Sequence, residues 1–173
     1  MVDACRVGAM TVRRLTPADA DAFRRIRLQM LRTDPTAFGS SHADWARKSL
    51  AEIGDWIAKM HLFAEMRDGK CRATGAWYLR PEGSADGRGH VIAVYTMPEL
   101  RRQGLFRQIM QMLEQDARRN GVVQLELDVS ASQPAAQAGY LALGYGEIGR
   151  RPGAKCHDGV CSDTITMRKR LPA

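Results

Sequence analysis

Long apolar runs are missing from this chain. No stretch approaches the roughly 20 apolar residues that a helix needs to cross a membrane. The first ten residues carry Asp3 and Arg6 and lack an apolar core segment, which argues against a secretory signal peptide. Residues 1–9 are expected to be a disordered leader, with Met10 as an alternative start. Cysteine is scarce: Cys5, Cys71, Cys156 and Cys161 form no C-x-x-C pair. Cys156-His157 with Cys161 lacks a fourth ligand and fits no common zinc spacing. No metal site is therefore expected, and reduced thiols in a cytoplasmic protein are. A run of five or more basic residues is also absent, although the net charge is +7 and the pI near 9.6. Without a recognition motif or an interleaved aromatic and basic stripe, nucleic acid is not an expected partner, and neither is a membrane. The G-K-[ST] of a Walker loop does not occur, nor does a full G-x-G-x-x-G with its acidic ribose partner, which excludes two common phosphate-binding folds.

What is present reads as one α/β domain over residues 10–173. Thr11 to Leu15 is a short strand candidate, and Thr16-Pro17-Ala18-Asp19 has the chemistry of a helix start. Ala22, Phe23, Ile26 and Met30 then recur at helical spacing, and the helix must stop before Asp34-Pro35. A second helix is expected from His42 to Met60. Leu62 to Met66 and Cys71 to Leu79 flank Asp68-Gly69, a two-residue hairpin signal. Pro81 to Gly89 is polar and glycine-rich, hence an exposed connection, and His90 to Met97 reads as a central strand. Leu105, Ile109, Leu113 and Ala117 mark a helix that Asn120-Gly121 ends. Val122 to Val129 is a strand and Pro134 to Leu143 a short helix. Two further strands, Tyr145 to Lys155 and Val160 to Lys169, meet at Asp158-Gly159.

The most informative stretch is Val94-Tyr95-Thr96-Met97-Pro98-Glu99-Leu100-Arg101-Arg102-Gln103-Gly104-Leu105-Phe106-Arg107. An apolar strand gives way to a basic, glycine-containing loop that runs straight into a helix. Amides at such an entry lack intrahelical acceptors, and the helix dipole adds partial positive charge. Arg101, Arg102 and Arg107 add cations. Together they suit a phosphate or pyrophosphate. Farther on come Gln133-Pro134-Ala135-Ala136, Gly139-Tyr140 and Gly144-Tyr145.

In these two segments the chain resembles the GNAT superfamily of N-acetyltransferases, whose signature pairs a strand and P-x-x-R-x-x-G-x-G/A with N-x-x-A-x-x-L-Y-x-x-x-G-F. The resemblance spans nearly the whole chain. It implies the GNAT fold, an α/β architecture with a mixed, mostly antiparallel central sheet flanked by helices. It also implies acetyl-CoA as co-substrate and transfer of the acetyl group to a primary amine of a small molecule or peptide. Val94, Tyr95 and Thr96 would then offer backbone groups to the pantetheine arm and thioester. Amides from Arg102 through Gln103, Gly104, Leu105 and Phe106 to Arg107 would bind the pyrophosphate, with Arg101 at the family's Arg/Gln position. Gln133 would stand for the family's asparagine, and Tyr140 would be the general acid that protonates the departing thiolate.

Three residues depart from the pattern. Phe106 stands where the family has Gly or Ala, Gln133 replaces Asn, and Gly139 replaces the Leu before the tyrosine. Phe106 must point away from the pyrophosphate, into the core beneath the helix. No acid lies on His90 to Met97, so the general base stays open among Glu126, Asp128 and His90. The family layout implicates Thr36-Ala37-Phe38-Gly39, Trp45, Trp77, Tyr78 and the loop from Arg150 to His157 in acceptor binding. A non-catalytic CoA-binding member is the alternative reading. A homodimer through the last strands is compatible with the sequence but not fixed by it.

Overall fold

The structure is a computed structural model in which residues 12–80, 87–157 and 160–172 are described. The expected leader, Thr11, most of the Pro81 to Gly89 connection and the Asp158-Gly159 turn lie outside those residues. Seven strands form one sheet in the order β1-β2-β3-β4-β5-β7-β6. They are β1 (Val12–Arg14), β2 (His61–Arg67), β3 (Lys70–Leu79), β4 (Arg88–Thr96), β5 (Gln124–Ser130), β6 (Gly146–His157) and β7 (Val160–Arg170). All neighbours are antiparallel except β4 and β5, which run parallel. This is the mixed, mostly antiparallel sheet that the family resemblance implies. Asp68 and Gly69 both take positive φ, 50° and 71°, as a two-residue hairpin turn requires.

Helices cover both faces. α1 (Ala20–Thr33), α2 (His42–Arg47) and α3 (Leu50–Lys59) pack on one. There Phe23, Ile26, Met30, Trp45, Ile53 and Ile57 meet Leu62, Ala64 and Ala76 of the sheet. α4 (Leu105–Arg119) covers the other, burying Ile109, Met110 and Leu113 against Phe63, Trp77, Val91 and Leu125, with α5 (Pro134–Ala142) beside it. None of the described helices is long and apolar enough to cross a membrane.

Two expectations need correction. The single helix from His42 to Met60 is two helices, because Ser49 caps a new one. Its hydroxyl accepts from the Glu52 amide at 3.2 Å while the Glu52 carboxylate accepts from the Ser49 amide at 2.8 Å. This reciprocal box outweighs the continuous apolar spacing. The thiols of Cys156 and Cys161 are not reduced. The β6–β7 register sets the two residues opposite each other, with Cα atoms 4.0 Å apart, and a disulfide joins them. Cys71 is a free, buried thiol, pushed up to about 12 by burial.

β4 carries an irregularity in its pairing with β3. Ala76 pairs with Ile92 and Thr74 with Tyr95, so Ala93 and Val94 together oppose the single residue Gly75. The bulge reverses the side-chain alternation: Ile92 and Ala93, though adjacent, both face the α1–α3 core. Ala93 takes φ 54°, and its carbonyl accepts from the Thr74 hydroxyl at 2.9 Å. Gly75 is required here, since a Cβ would lie 2.6 Å from Ile109 Cγ2 on α4.

Candidate functional site

Pairing between β4 and β5 stops early. Arg88 to Val91 pair with Gln124 to Leu127, and beyond Val91 and Leu127 the two strands separate. Ile92 to Thr96 therefore have no neighbouring strand on the β5 side. The gap is one wall of a cavity of about 580 Å³. Ile92 to Thr96 line it from β4, Leu127 to Ser130 from β5, and Gln133, Gly139 and Tyr140 from α5 and its entry. The segment from Ala37 to Ser40, with Trp45 and Trp56, also lines it.

Beyond β4 the chain forms the expected helix entry. Arg102 and Gly104 both adopt left-handed backbone, φ 65° and 84°, which turns the loop sharply into α4. The first amide bonded back into α4 is that of Gln108, to the Gly104 carbonyl at 3.1 Å. The amides of Leu105, Phe106 and Arg107 precede it and have no intrahelical acceptor. A Cβ on Gly104 would meet nothing within 4 Å, so its backbone is open to a ligand. Arg102, Gln103 and Arg107 are exposed. Arg101 is engaged within the protein. Its Nη2 lies 3.0 Å from Asp34 Oδ2, and its Nε donates to the Thr96 carbonyl at 3.2 Å.

Phe106 and Gly139, two departures from the family pattern, meet. The Phe106 ring is half-buried and stands edge-on to Tyr140 with centroids 5.3 Å apart. A Cβ on Gly139 would lie only 3.0 Å from Phe106 Cε1. The aromatic ring thus occupies the space that a side chain at position 139 would need, and each departure accommodates the other. Tyr140 is 7% exposed and lines the cavity. Its hydroxyl has no hydrogen-bond partner among the described residues, and burial raises its pKa above the ordinary value, so the phenol keeps its proton.

A family model for the acetyltransferase (GNAT) family matches residues 26–145, which span the β4–α4 nest, the cavity strands and Tyr140. The chain belongs to the GNAT acetyltransferase family. Solved structures share the fold at low identity. The ribosomal-protein-alanine N-acetyltransferase of Brucella melitensis superposes with a TM-score of 0.80 at 20% identity, covering 94% of this chain and 100% of that one. The ribosomal-protein-S18-alanine N-acetyltransferase of Escherichia coli gives 0.70 at 23%, covering 94% of both chains. A GNAT superfamily phosphinothricin acetyltransferase of Sinorhizobium meliloti, solved with AcCoA, gives 0.75 at 18%, covering 94% of this chain and 88% of that one.

Within this GNAT frame the three base candidates separate. Glu126 does not reach the cavity and is paired with Arg168 Nε at 2.9 Å. His90 lines the cavity, and its Nδ1 accepts from Arg80 Nη2 at 2.8 Å, which leaves the ring proton on Nε2. Burial first, and Arg80 second, pull its pKa down to about 4. Asp128 lines the cavity too. Burial pushes its pKa up, but the Thr166 hydroxyl at 2.7 Å and Arg151 at 2.8 Å outweigh that and hold it below the usual carboxylate range.

Of the residues implicated in acceptor binding, Ala37, Phe38, Gly39 and Trp45 do line the cavity. Trp77 does not. It is fully buried beneath α4, stacked on His61 at 3.9 Å, and its indole N–H donates to Asp116 at 3.0 Å. Arg150 faces Glu147 and Asp163. Sequence reading passed over Arg27, Asp34, Ser40 and Trp56 as cavity residues. The usable signal was Arg27 itself, an arginine set among Phe23, Ile26, Met30 and Leu31 on the buried stripe of α1.

Two predictions follow from this geometry. Gly139→Leu alone is expected to cost about 1–3 kcal/mol in urea unfolding, because Phe106 must leave its rotamer. Combined with Phe106→Ala, the loss should fall short of the sum by at least about 0.5 kcal/mol; additive losses would show that the two positions do not share space. The second concerns acid. An unfolded histidine takes up its proton near pH 6.5, whereas folded His90 does so only near 4. Between those values the unfolded chain binds more protons, so His90 makes stability rise with pH across that window. His90→Gln should flatten the Tm profile between pH 4 and 6.5, and an unchanged slope would contradict a buried neutral imidazole.

Proposed function

We propose that the protein is an acetyl-CoA-dependent N-acetyltransferase that moves the acetyl group to a primary amine of a small molecule or peptide by direct attack on the thioester. The separation of β4 from β5 carries this reading. It leaves a strip of unpaired strand backbone beside a cavity whose lining includes Arg101 and Phe106, at the helix entry, and Tyr140. The amides from Arg102 to Arg107 would hold the pyrophosphate, and those of Val94 and Thr96 the pantetheine arm and the carbonyl oxygen as it gains charge, while Tyr95, whose backbone faces Thr74 of β3, would line the arm. Gln133, on the cavity wall at the start of α5, would offer its amide to the same ligand. Arg101, tied to Asp34 and the Thr96 carbonyl, fixes the end of β4 against the segment that lines the cavity.

When bound, acetyl-CoA supplies a thioester carbonyl open to attack and a thiolate that can leave. The chain supplies the rest. Asp128, ionised on the cavity wall, holds the acceptor ammonium and orders the water through which its proton departs; its low pKa suits it to binding charge rather than to strong basicity. Tyr140, protonated and without a partner for its hydroxyl among the described residues, would supply the proton that the departing thiolate needs.

Thiol release from acetyl-CoA across a panel of primary amines tests the reading. Tyr140→Phe should lower kcat by about a hundredfold with little change in the KM for acetyl-CoA. Full activity in that variant would remove Tyr140 from the chemistry. Binding of acetyl-CoA without turnover on any amine would favour a non-catalytic CoA-binding protein instead.

A further inference from the structure

We propose that Arg27 is the recognition site for a carboxylate on the acceptor, and hence that the acceptor is a small zwitterionic amine of the amino-acid type. The inference rests on the N-acetyltransferase reading above, whose cavity it shares.

Arg27 sits where an apolar residue would be expected. Phe23, Ile26, Met30 and Leu31 are buried around it on α1, and Arg27 itself is only 6% exposed. Buried cations are normally paired with a carboxylate. Among the described residues, none forms an ion pair with Arg27. Of its five N–H donors, one from Nη2 reaches the Ser40 hydroxyl at 3.1 Å and one from Nη1 meets only the Met30 thioether at 3.2 Å. Nε has no partner. Of the two carboxylates in the cavity lining, Asp34 is held by Arg101 and Asp128 by Arg151. A guanidinium this buried and this poorly satisfied is a cost that an incoming anion would relieve.

Its surroundings describe the ligand further. The guanidinium carbon lies 4.7 Å from the Trp45 ring centroid and 5.5 Å from that of Phe38. The rings hold the guanidinium plane, and three of its five N–H groups are left without a protein partner. Trp45, Phe38 and Trp56 give the same cavity an apolar wall. Asp128, on the β5 wall, accepts one bond at each oxygen, from Thr166 and Arg151, and keeps lone pairs on both for an ammonium. One cavity thus presents a carboxylate suited to an ammonium, a cation suited to a carboxylate, and aromatic surface between for a side chain.

The test compares free amino acids with their carboxamides and their decarboxylated amines, using the full chain. Acetylation is followed by thiol release. Binding in the presence of CoA is followed separately by calorimetry and by tryptophan fluorescence, since Trp45 touches the site. The proposal expects at least one amino acid to bind and react, with kcat/KM lower by about a hundredfold or more for its carboxamide. Arg27→Met, which keeps the packing volume, should raise the amino-acid KM by a similar factor while leaving the KM for acetyl-CoA unchanged; Arg27→Lys should recover part of the loss. If Arg27→Met does not fold, the acid-against-amide comparison in the wild type and the Arg27→Lys variant decide alone. Equal or better use of amines that lack a carboxylate, or no binding of any amino acid, would overturn the proposal. Arg27-dependent binding of an amino acid without thiol release on any amine would leave this site standing and defeat the transferase reading instead.

Discussion

The parting of β4 and β5 is the constraint on which the rest of the site depends. Two parallel strands hydrogen-bonded along their length would seal the sheet and leave no room between them. Here the ladder ends at Val91 and Leu127, and the backbone beyond is committed to no partner on that side. The bulge at Ala93 and Val94 contributes by bending β4 and shifting its side-chain parity, so that Val94 packs toward α4 while Ala93 and Tyr95 face α1 to α3. Gly75 makes the bulge compatible with a helix lying directly on it. A local defect in pairing, fixed by packing from α4, becomes the opening proposed to hold acetyl-CoA.

Polar groups around that opening are arranged by the same economy. Most charges near it are already spent on the protein: Arg101 on Asp34, Arg151 and Thr166 on Asp128, Arg80 on His90, Arg168 on Glu126. Two polar side chains stand out as under-used, the Tyr140 hydroxyl and the Arg27 guanidinium, and both line the cavity. A protein interior tolerates such groups where a ligand completes them. Phe106 fits the same picture. Its ring lies against Gly139 and Tyr140, so the bulk that the family pattern lacks at this position supports the wall of the cavity.

Features with local causes were legible in the sequence. The Asp68-Gly69 turn, the stop before Asp34-Pro35 and the nest from Arg101 to Arg107 each follow from residues within a few positions. The break at Ser49 was also written locally, in its spacing to Glu52, but the apolar rhythm of the flanking residues masked it. What needed the third dimension was missed. Trp77 could not be sent to the core without strand parity, nor Cys156 paired with Cys161 without the β6–β7 register. Arg27 looked like one more basic residue until its burial showed that it had no ordinary reason to be there.

Backbone hydrogen exchange with and without acetyl-CoA bears most directly on the central claim, that the unpaired β4 strip and the helix entry together hold this ligand. Exchange should slow at Val94 and Thr96 and at Arg102 to Arg107 when acetyl-CoA is added, with little change in β6 and β7. Unaltered exchange in both segments at saturating acetyl-CoA would contradict the account.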